Sequence, residues 1–257
     1  DQTIVHCKNM DWTGVTNTPI ITNISSFILR IYGSLTLATN MISNLGTQVY
    51  FESTTPGHTI TLAGHSIQSS YFNGIGGAWI LQDSYIGNIY LNAGNLNFNS
   101  QLVNGSLNST GNLPRSLTMG SSTFTGVWYI DGTGITLDAG TSNINITGTL
   151  AVMNAGSGLT YNNVTFPPLP TLGTNLNGFD NIFNNVSFAP DGVISGNNNT
   201  FNDVTFLKNG TMTGCIVNNN ATFHRDGFFT GNNNLNNLTF TPGFTYTLNS
   251  GSTQTIN

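Results

Sequence analysis

The sequence predicts an all-β fold, a single-stranded parallel β-helix (β-solenoid) of about 17–23 residues per rung, and three observations carry that expectation. A short motif recurs along the last third of the chain at a spacing of about 18 residues, too short for a helical pair and too long for a hairpin. Glycine-bearing turns recur in step with it. Only 6% of residues are charged while 38% are hydrophobic, so a core can form but polarity must come from Asn, Thr, Ser and Gly. Helical periodicity is missing, and the β-branched, aromatic, Gly and Asn content opposes helices on propensity. A hairpin sandwich would alternate as well, but it does not require a fixed repeat with corners in register.

From the N-terminus, Ile4, Val5, Trp12, Ile20 and Ile21 are irregularly spaced, and residues 1–30 are read as an N-terminal cap or first irregular rungs. Residues 31–257 are read as one continuous solenoid, because no break in composition divides them. In the middle, Ala78-Trp79-Ile80-Leu81 followed by Ile89-Tyr90-Leu91-Asn92-Ala93-Gly94 recurs as Val127-Trp128-Tyr129-Ile130 followed by Ile135-Thr136-Leu137-Asp138-Ala139-Gly140. This suggests a duplicated unit of about two rungs, with Ile60-Thr61-Leu62-Ala63-Gly64 and Leu117-Thr118-Met119-Gly120 as cousins.

The C-terminal third is the clearest. Tyr161-Asn162-Asn163-Val164-Thr165-Phe166 returns as Phe183–Phe188, Phe201–Phe206 and Leu235–Phe240, with a degenerate copy ending at Phe223. The closing residues Phe166, Phe188, Phe206, Phe223 and Phe240 are predicted to form a stacked core ladder, with Pro167-Pro168-Leu169-Pro170 inserted as a projecting turn. Asp191-Gly192, Asn209-Gly210 and Asp226-Gly227 are the predicted turn positions, each followed four residues on by Gly196, Gly214 or Gly231, and positive φ is the expected reason for glycine at them. About 12 to 14 rungs are expected. Parallel crossovers favour a right-handed coil, and the short C-terminal rungs leave a left-handed or more triangular one open.

These Asn-Asn-Val-Thr-Phe units, with Phe244-Thr245-Tyr246-Thr247-Leu248, Gly251–Ile256, Trp79-Ile80-Leu81-Gln82-Asp83 and Leu137-Asp138-Ala139-Gly140, resemble β-solenoid repeat regions of very large secreted surface proteins of the Bacteroidetes type over roughly residues 30–257. Such regions are similar in outline to filamentous-haemagglutinin-like and pectate-lyase-like β-helices. The resemblance implies an adhesin stalk or surface fibre.

The net charge is −5, and the five basic residues Lys8, Arg30, Arg115, Lys208 and Arg225 are scattered, which disfavours nucleic acid as a partner. No apolar run approaches the ~20 residues that span a bilayer. Scarce Lys and Glu beside abundant Asn, Thr and Gly favour an extracellular, secreted or cell-surface protein. Cys7 and Cys215 fall about ten rungs apart at about 4.8 Å each, so two free thiols are expected.

No catalytic, metal or cofactor residue is assigned. Asp191 and Asp226 lie two rungs apart on one corner, about 9.6 Å by rung spacing, within the range of an inverting carboxylate pair. Asn209 fills the rung between, so the position selects a turn former and not a charge. Lys208 and Arg225 are expected to meet Asp226 and Asp203 in a surface ladder. His58 and His65 have no metal-ligand spacing, and Gly74-Ile75-Gly76-Gly77 lacks the helix of a phosphate loop. Asn-x-Ser/Thr triplets at Asn108, Asn145, Asn163 and Asn237 are those expected by chance in this composition. Trp79, Trp128 and Tyr129 are the candidate sugar-stacking residues, against a competing reading as inward packing. The expected function is a non-enzymatic structural or adhesive solenoid, as an adhesin segment or a self-assembling filament subunit; the alternative is a carbohydrate-binding module or a polysaccharide-degrading β-helix enzyme. Its expected partners are further copies joined end to end, a longer chain of which it is part, or a surface polysaccharide.

Overall fold

Inward aliphatic and aromatic side chains alternate with outward Ser, Thr and Asn along almost every segment, the pattern of a strand with one buried face. In the computed structural model these strands pair in parallel and stack as a β-solenoid of about 12 turns, with no helix among the described residues. The structure describes residues 4–22, 27–45, 48–148, 151–168 and 173–257. Two compact units are present, residues 1–124 with 132–140, and residues 125–131 with 141–257.

In the first unit, Ile4–Cys7, Ile28–Ile31, Gln48–Phe51, Ser69–Phe72 and Asn88–Leu91 stack in that order, so residues near the N-terminus already belong to a turn. A second column runs through Leu35–Thr36, His58–Thr61, Ala78–Leu81, Gly94–Asn97, Arg115–Thr118 and Ile135–Asp138. The buried residues form files from turn to turn. Phe51 stacks on Phe72 at 4.9 Å, and Trp79 meets both rings edge-on at 6.1 and 5.4 Å. The Trp79 indole N–H donates to Gly33 O at 3.2 Å, which satisfies the one polar atom of a fully buried ring.

In the second unit each turn holds a long strand and a short one. The long strands Thr160–Phe166, Ile182–Phe188, Thr200–Phe206, Ile216–Phe223 and Asn233–Phe240 are in register, so Phe166, Phe188, Phe206, Phe223 and Phe240 are successive partners. The first four rings stack at 4.5, 4.9 and 4.7 Å. Each buried ring contributes about 1.5–3 kcal/mol by leaving water. Tyr161, Phe183 and Phe201 make a second stack beside them, at 4.9 and 5.1 Å. Phe240 departs from the expected ladder: it is 38% exposed, tilts 56° from Phe223, and lies against Tyr246 at 3.9 Å. Phe188 and Phe206 are each held between two stacked rings, whereas Phe240 has a ladder ring on one side alone. Of the expected projecting turn, Leu169 and Pro170 lie outside the described residues.

Two expectations are corrected. Trp79 and Trp128 are not equivalent, because Ala78–Leu81 and Thr123–Ile130 belong to different sheets, as do Asn88–Leu91 and Ile135–Asp138. An offset of 49 residues does not correspond to a whole number of turns where the steps are 17 for Trp79 to Leu96, 21 to Leu117 and 20 to Leu137. Glycine at 192, 210 and 227 also has a different cause. These three pair in register without positive φ, and a Cβ at Gly192 would sit 2.5 Å from Phe188 Cγ, one at Gly210 2.5 Å from Phe206 Cγ. The ladder rings need that space. Gly196, Gly214 and Gly231 do adopt the left-handed region, at φ 108°, 57° and 62°.

Candidate functional site

The aromatic residues that sequence reasoning assigned to sugar stacking do not form a platform. Trp79 and Trp128 are fully buried, since each occupies an inward position of its strand, and a ring in the core has no face for a ligand. Tyr129, on the outward phase of the same strand as Trp128, is 38% exposed.

The outward aromatic feature lies elsewhere. Tyr50, Tyr71 and Tyr90 are consecutive partners on the first unit, stacked at 4.6 and 4.5 Å with interplanar angles of 12° and 8°. Arg30, the partner of Tyr50 one turn before, sits over that ring at 5.3 Å and donates to both Glu52 carboxylate oxygens at 2.7 and 2.9 Å. This hydrogen bond holds the Arg30 guanidinium above its usual pKa, and burial followed by the neighbouring tyrosines raises that of Tyr71. Both faces of Tyr50 and Tyr71 are taken by a neighbouring ring or by Arg30, and Tyr90, opposite Asn108 on its far side, stacks on one ring alone. The repeats Val49-Tyr50-Phe51, Ser70-Tyr71-Phe72 and Ile89-Tyr90-Leu91 were the missed signal.

On the second unit, Asn143, Asn163, Asn185, Asp203, Asn220 and Asn237 form one outward file. Asn163 donates its amide to Asn143 Oδ1 at 3.0 Å and Asn185 donates to Asn163 Oδ1 at 2.8 Å. Asp203 Oδ1 accepts from the side chains of Asn219 and Asn220, at 2.9 and 2.8 Å. Two residues along each strand a second file runs through Asn145, Thr165, Ser187, Thr205, Thr222 and Thr239. The Asn-x-Ser/Thr triplets at Asn163, Asn185, Asn220 and Asn237 therefore follow from two ladders in step and not from chance. A buried file, Asn181, Asn199, Cys215 and Asn233, lies where the long strands begin; Asn181 caps Leu159 N–H at 2.9 Å and Asn233 caps Cys215 N–H at 2.8 Å.

The carboxylates act within the scaffold. Asp191 Oδ1 accepts from Asn209 N–H at 3.1 Å, and Asp226 Oδ1 from Thr245 N–H at 2.8 Å, each tying one turn to the next. Asp83 accepts from Leu62 and Ala63 N–H, and Asp180 from the Asn198 amide. Asp11 and Asp138 close local turns on Thr13 and Gly140, and the hydrogen bond from Thr13 lowers the Asp11 pKa. The expected ladder of Lys208 and Arg225 with Asp226 and Asp203 is replaced by these bonds, and Arg225 lies over the Phe244 ring at 6.0 Å. His58 Nε2 contacts Ser53 Oγ at 2.6 Å and His65 Nε2 contacts Ala38 O at 2.9 Å. Among the described residues no group of three or more His, Cys, Asp and Glu is placed to hold a metal ion. Cys7 and Cys215 are free thiols; burial raises both, that of Cys215 to about 12. Arg115 is buried, with Nε donating to Ser109 Oγ at 2.6 Å and Nη1 donating to the carbonyls of Gly111, Leu113 and Thr133.

Compared with known proteins, the chain matches no family model, no curated protein and no solved structure.

Proposed function

We propose that the chain is a non-enzymatic structural or adhesive element outside the cell, a β-solenoid that presents regular polar surfaces as part of a surface adhesin or as a filament subunit. The observation that carries this reading is the use of the acidic side chains: Glu52, Asp83, Asp180, Asp191, Asp203 and Asp226 each accept from a residue one turn away. A carboxylate that caps backbone N–H groups serves the stack, whereas hydrolysis requires one held as an acid and another facing substrate or water. The thiols are compatible with an oxidising compartment: Cys215 is buried, Cys7 half-buried, and a thiol whose pKa burial has raised supplies little thiolate for exchange. Among the described residues no helix is long and apolar enough to cross a membrane.

The filament arm draws support from the last described turn. Phe240, Leu248 and Ile256 are 38%, 60% and 58% exposed, while their partners one turn earlier, Phe223, Phe229 and Leu235, are fully buried. A further turn of the same kind, from a longer chain or a second copy, would cover them. Negative-stain electron microscopy over a concentration series, beside an assay for reducing ends released from a panel of polysaccharides, tests the proposal. Fibres that lengthen with concentration support the filament arm, and single particles that coat surfaces without cutting glycan support the adhesin arm. Release of reducing ends by the purified chain would overturn the non-enzymatic reading.

A further inference from the structure

The file Thr165, Ser187, Thr205, Thr222 and Thr239 is the most regular outward feature of the second unit, and its hydroxyls are nearly unused. Ser187 makes a long contact to Thr165 at 3.4 Å, and the hydroxyls of Thr205, Thr222 and Thr239 have no protein hydrogen-bond partner among the described residues. Three adjacent donors in register must then be satisfied by water. The register fixes their spacing at the inter-strand distance of about 4.8 Å, and the asparagine file lies two residues along the strand, about 6.6 Å away. Between the files runs a shallow groove of about 290 Å³, with Asn163, Asn185 and Asp203 on one wall and Thr165, Ser187 and Thr205 on the other.

We propose that this face binds the surface of ice. Water held against it inherits a two-dimensional lattice whose repeat across the strands lies close to one oxygen repeat on a prism face of hexagonal ice, while its repeat along the strand is somewhat shorter than the other. The lattice is stiff: β-branching restricts threonine χ1, and the neighbouring file is hydrogen-bonded, Asn143, Asn163 and Asn185 amide to amide, Asn220 to Asp203 and Asn237 to the Asn219 carbonyl, so little freedom is lost when water orders on them. Threonine methyls add small apolar bumps between the hydroxyls, which favour caged water over bulk-like water. The charge also matches the partner. In the two files the one ionised side chain is Asp203, whose Oδ1 accepts from Asn219 and Asn220; a neutral crystal suits such a surface better than a charged polymer does. The inference does not depend on the structural or adhesive role proposed above.

Nanolitre osmometry of the purified chain tests it, by the gap between the melting and freezing points and by the shape of ice crystals growing in that gap. The chain is expected to open a gap and facet the crystals. Thr222→Lys, which places a charged, mobile chain in the file, abolishes both, and Thr222→Val, which removes the hydroxyl but keeps the β-branch, reduces the gap. Thr211→Lys, on the outward side of the short strand Gly210–Thr213, leaves both intact. Circular dichroism verifies that each variant keeps its β signal. A folded chain that leaves ice growth unaltered overturns the proposal, as does equal loss in Thr211→Lys and Thr222→Lys. Retention of the folded chain on a neutral polysaccharide column without any effect on ice would give the face to a glycan and also overturn it.

Discussion

At the scale of single residues, glycines of one sequence appearance do two jobs, and substitution separates them. Ala at Gly210 brings a methyl to 2.5 Å from Phe206 Cγ and 2.7 Å from Phe223 Cε1, and overpacking of this kind costs about 1–3 kcal/mol or more. Ala at Gly158 meets open space and pays for its φ of +70° alone, about 1–2 kcal/mol. Urea denaturation should show that Phe206→Leu recovers part of the loss in Gly210→Ala, whereas it adds its full cost to Gly158→Ala. Titration makes a second prediction. Burial raises Cys215 from its ordinary 9.0 to about 12 and raises the phenols of Tyr85 and Tyr161 above their ordinary 10.0. A raised folded pKa means that the unfolded chain loses protons first, so the stabilisation is complete below pH 9 and falls as pH rises through 9 and then 10, continuing toward the folded value of Cys215. Urea midpoints measured from neutral pH to about pH 11 should decline over that window, with a smaller decline in Tyr161→Phe. An unchanged midpoint would mean that these groups are not buried.

At the scale of the strand, the phenylalanine file is the element that carries most of the second unit. Phe206 is fully buried between Phe188 and Phe223, and Phe206→Ala should cost about 3–5 kcal/mol. Phe240→Ala, at a ring already 38% exposed, should cost clearly less by the same thermal or urea measurement. The file was legible in the sequence because one residue type recurs at every turn and the steps between Phe188, Phe206 and Phe223 stay near constant. The first unit was less legible for a physical reason: the turns between paired strands change length, from 24 residues for Ile4 to Ile28 to 18 for Ile89 to Leu107, so matching words in the sequence need not be matching places. Trp79 and Trp128 misled in this way. The outward tyrosines were hidden by the opposite bias, since their neighbours Val49, Ser70 and Ile89 differ while their register does not. No reading of residue types could have told the space-filling glycines from the left-handed ones, because the difference lies in where the preceding ring packs.

At the scale of the whole molecule, each turn of the second unit contacts the turns before and after it, so its stability should be close to a sum over turns and their interfaces. Deletion of residues 192–209 joins Asp191 to Gly210, which already occupies the place of Gly192 one turn later. That variant should fold with one turn fewer, an unchanged shape of circular dichroism spectrum and a modestly lower melting temperature. Deletion of residues 201–209 alone removes half a turn, sends inward residues outward, and should not give a cooperative transition. The coincident asparagine and threonine files have a last consequence, for biosynthesis. Together they spell four acceptor sequences for N-linked oligosaccharide, at Asn163, Asn185, Asn220 and Asn237, and those on adjacent turns stand only about 4.8 Å apart once the chain has folded. An oligosaccharide attached to the emerging chain would consume the amide nitrogen that Asn185 gives to Asn163 and would be far too wide for its neighbours. Under the extracellular role proposed above, the ladder can form only if the secretion route leaves these asparagines unmodified.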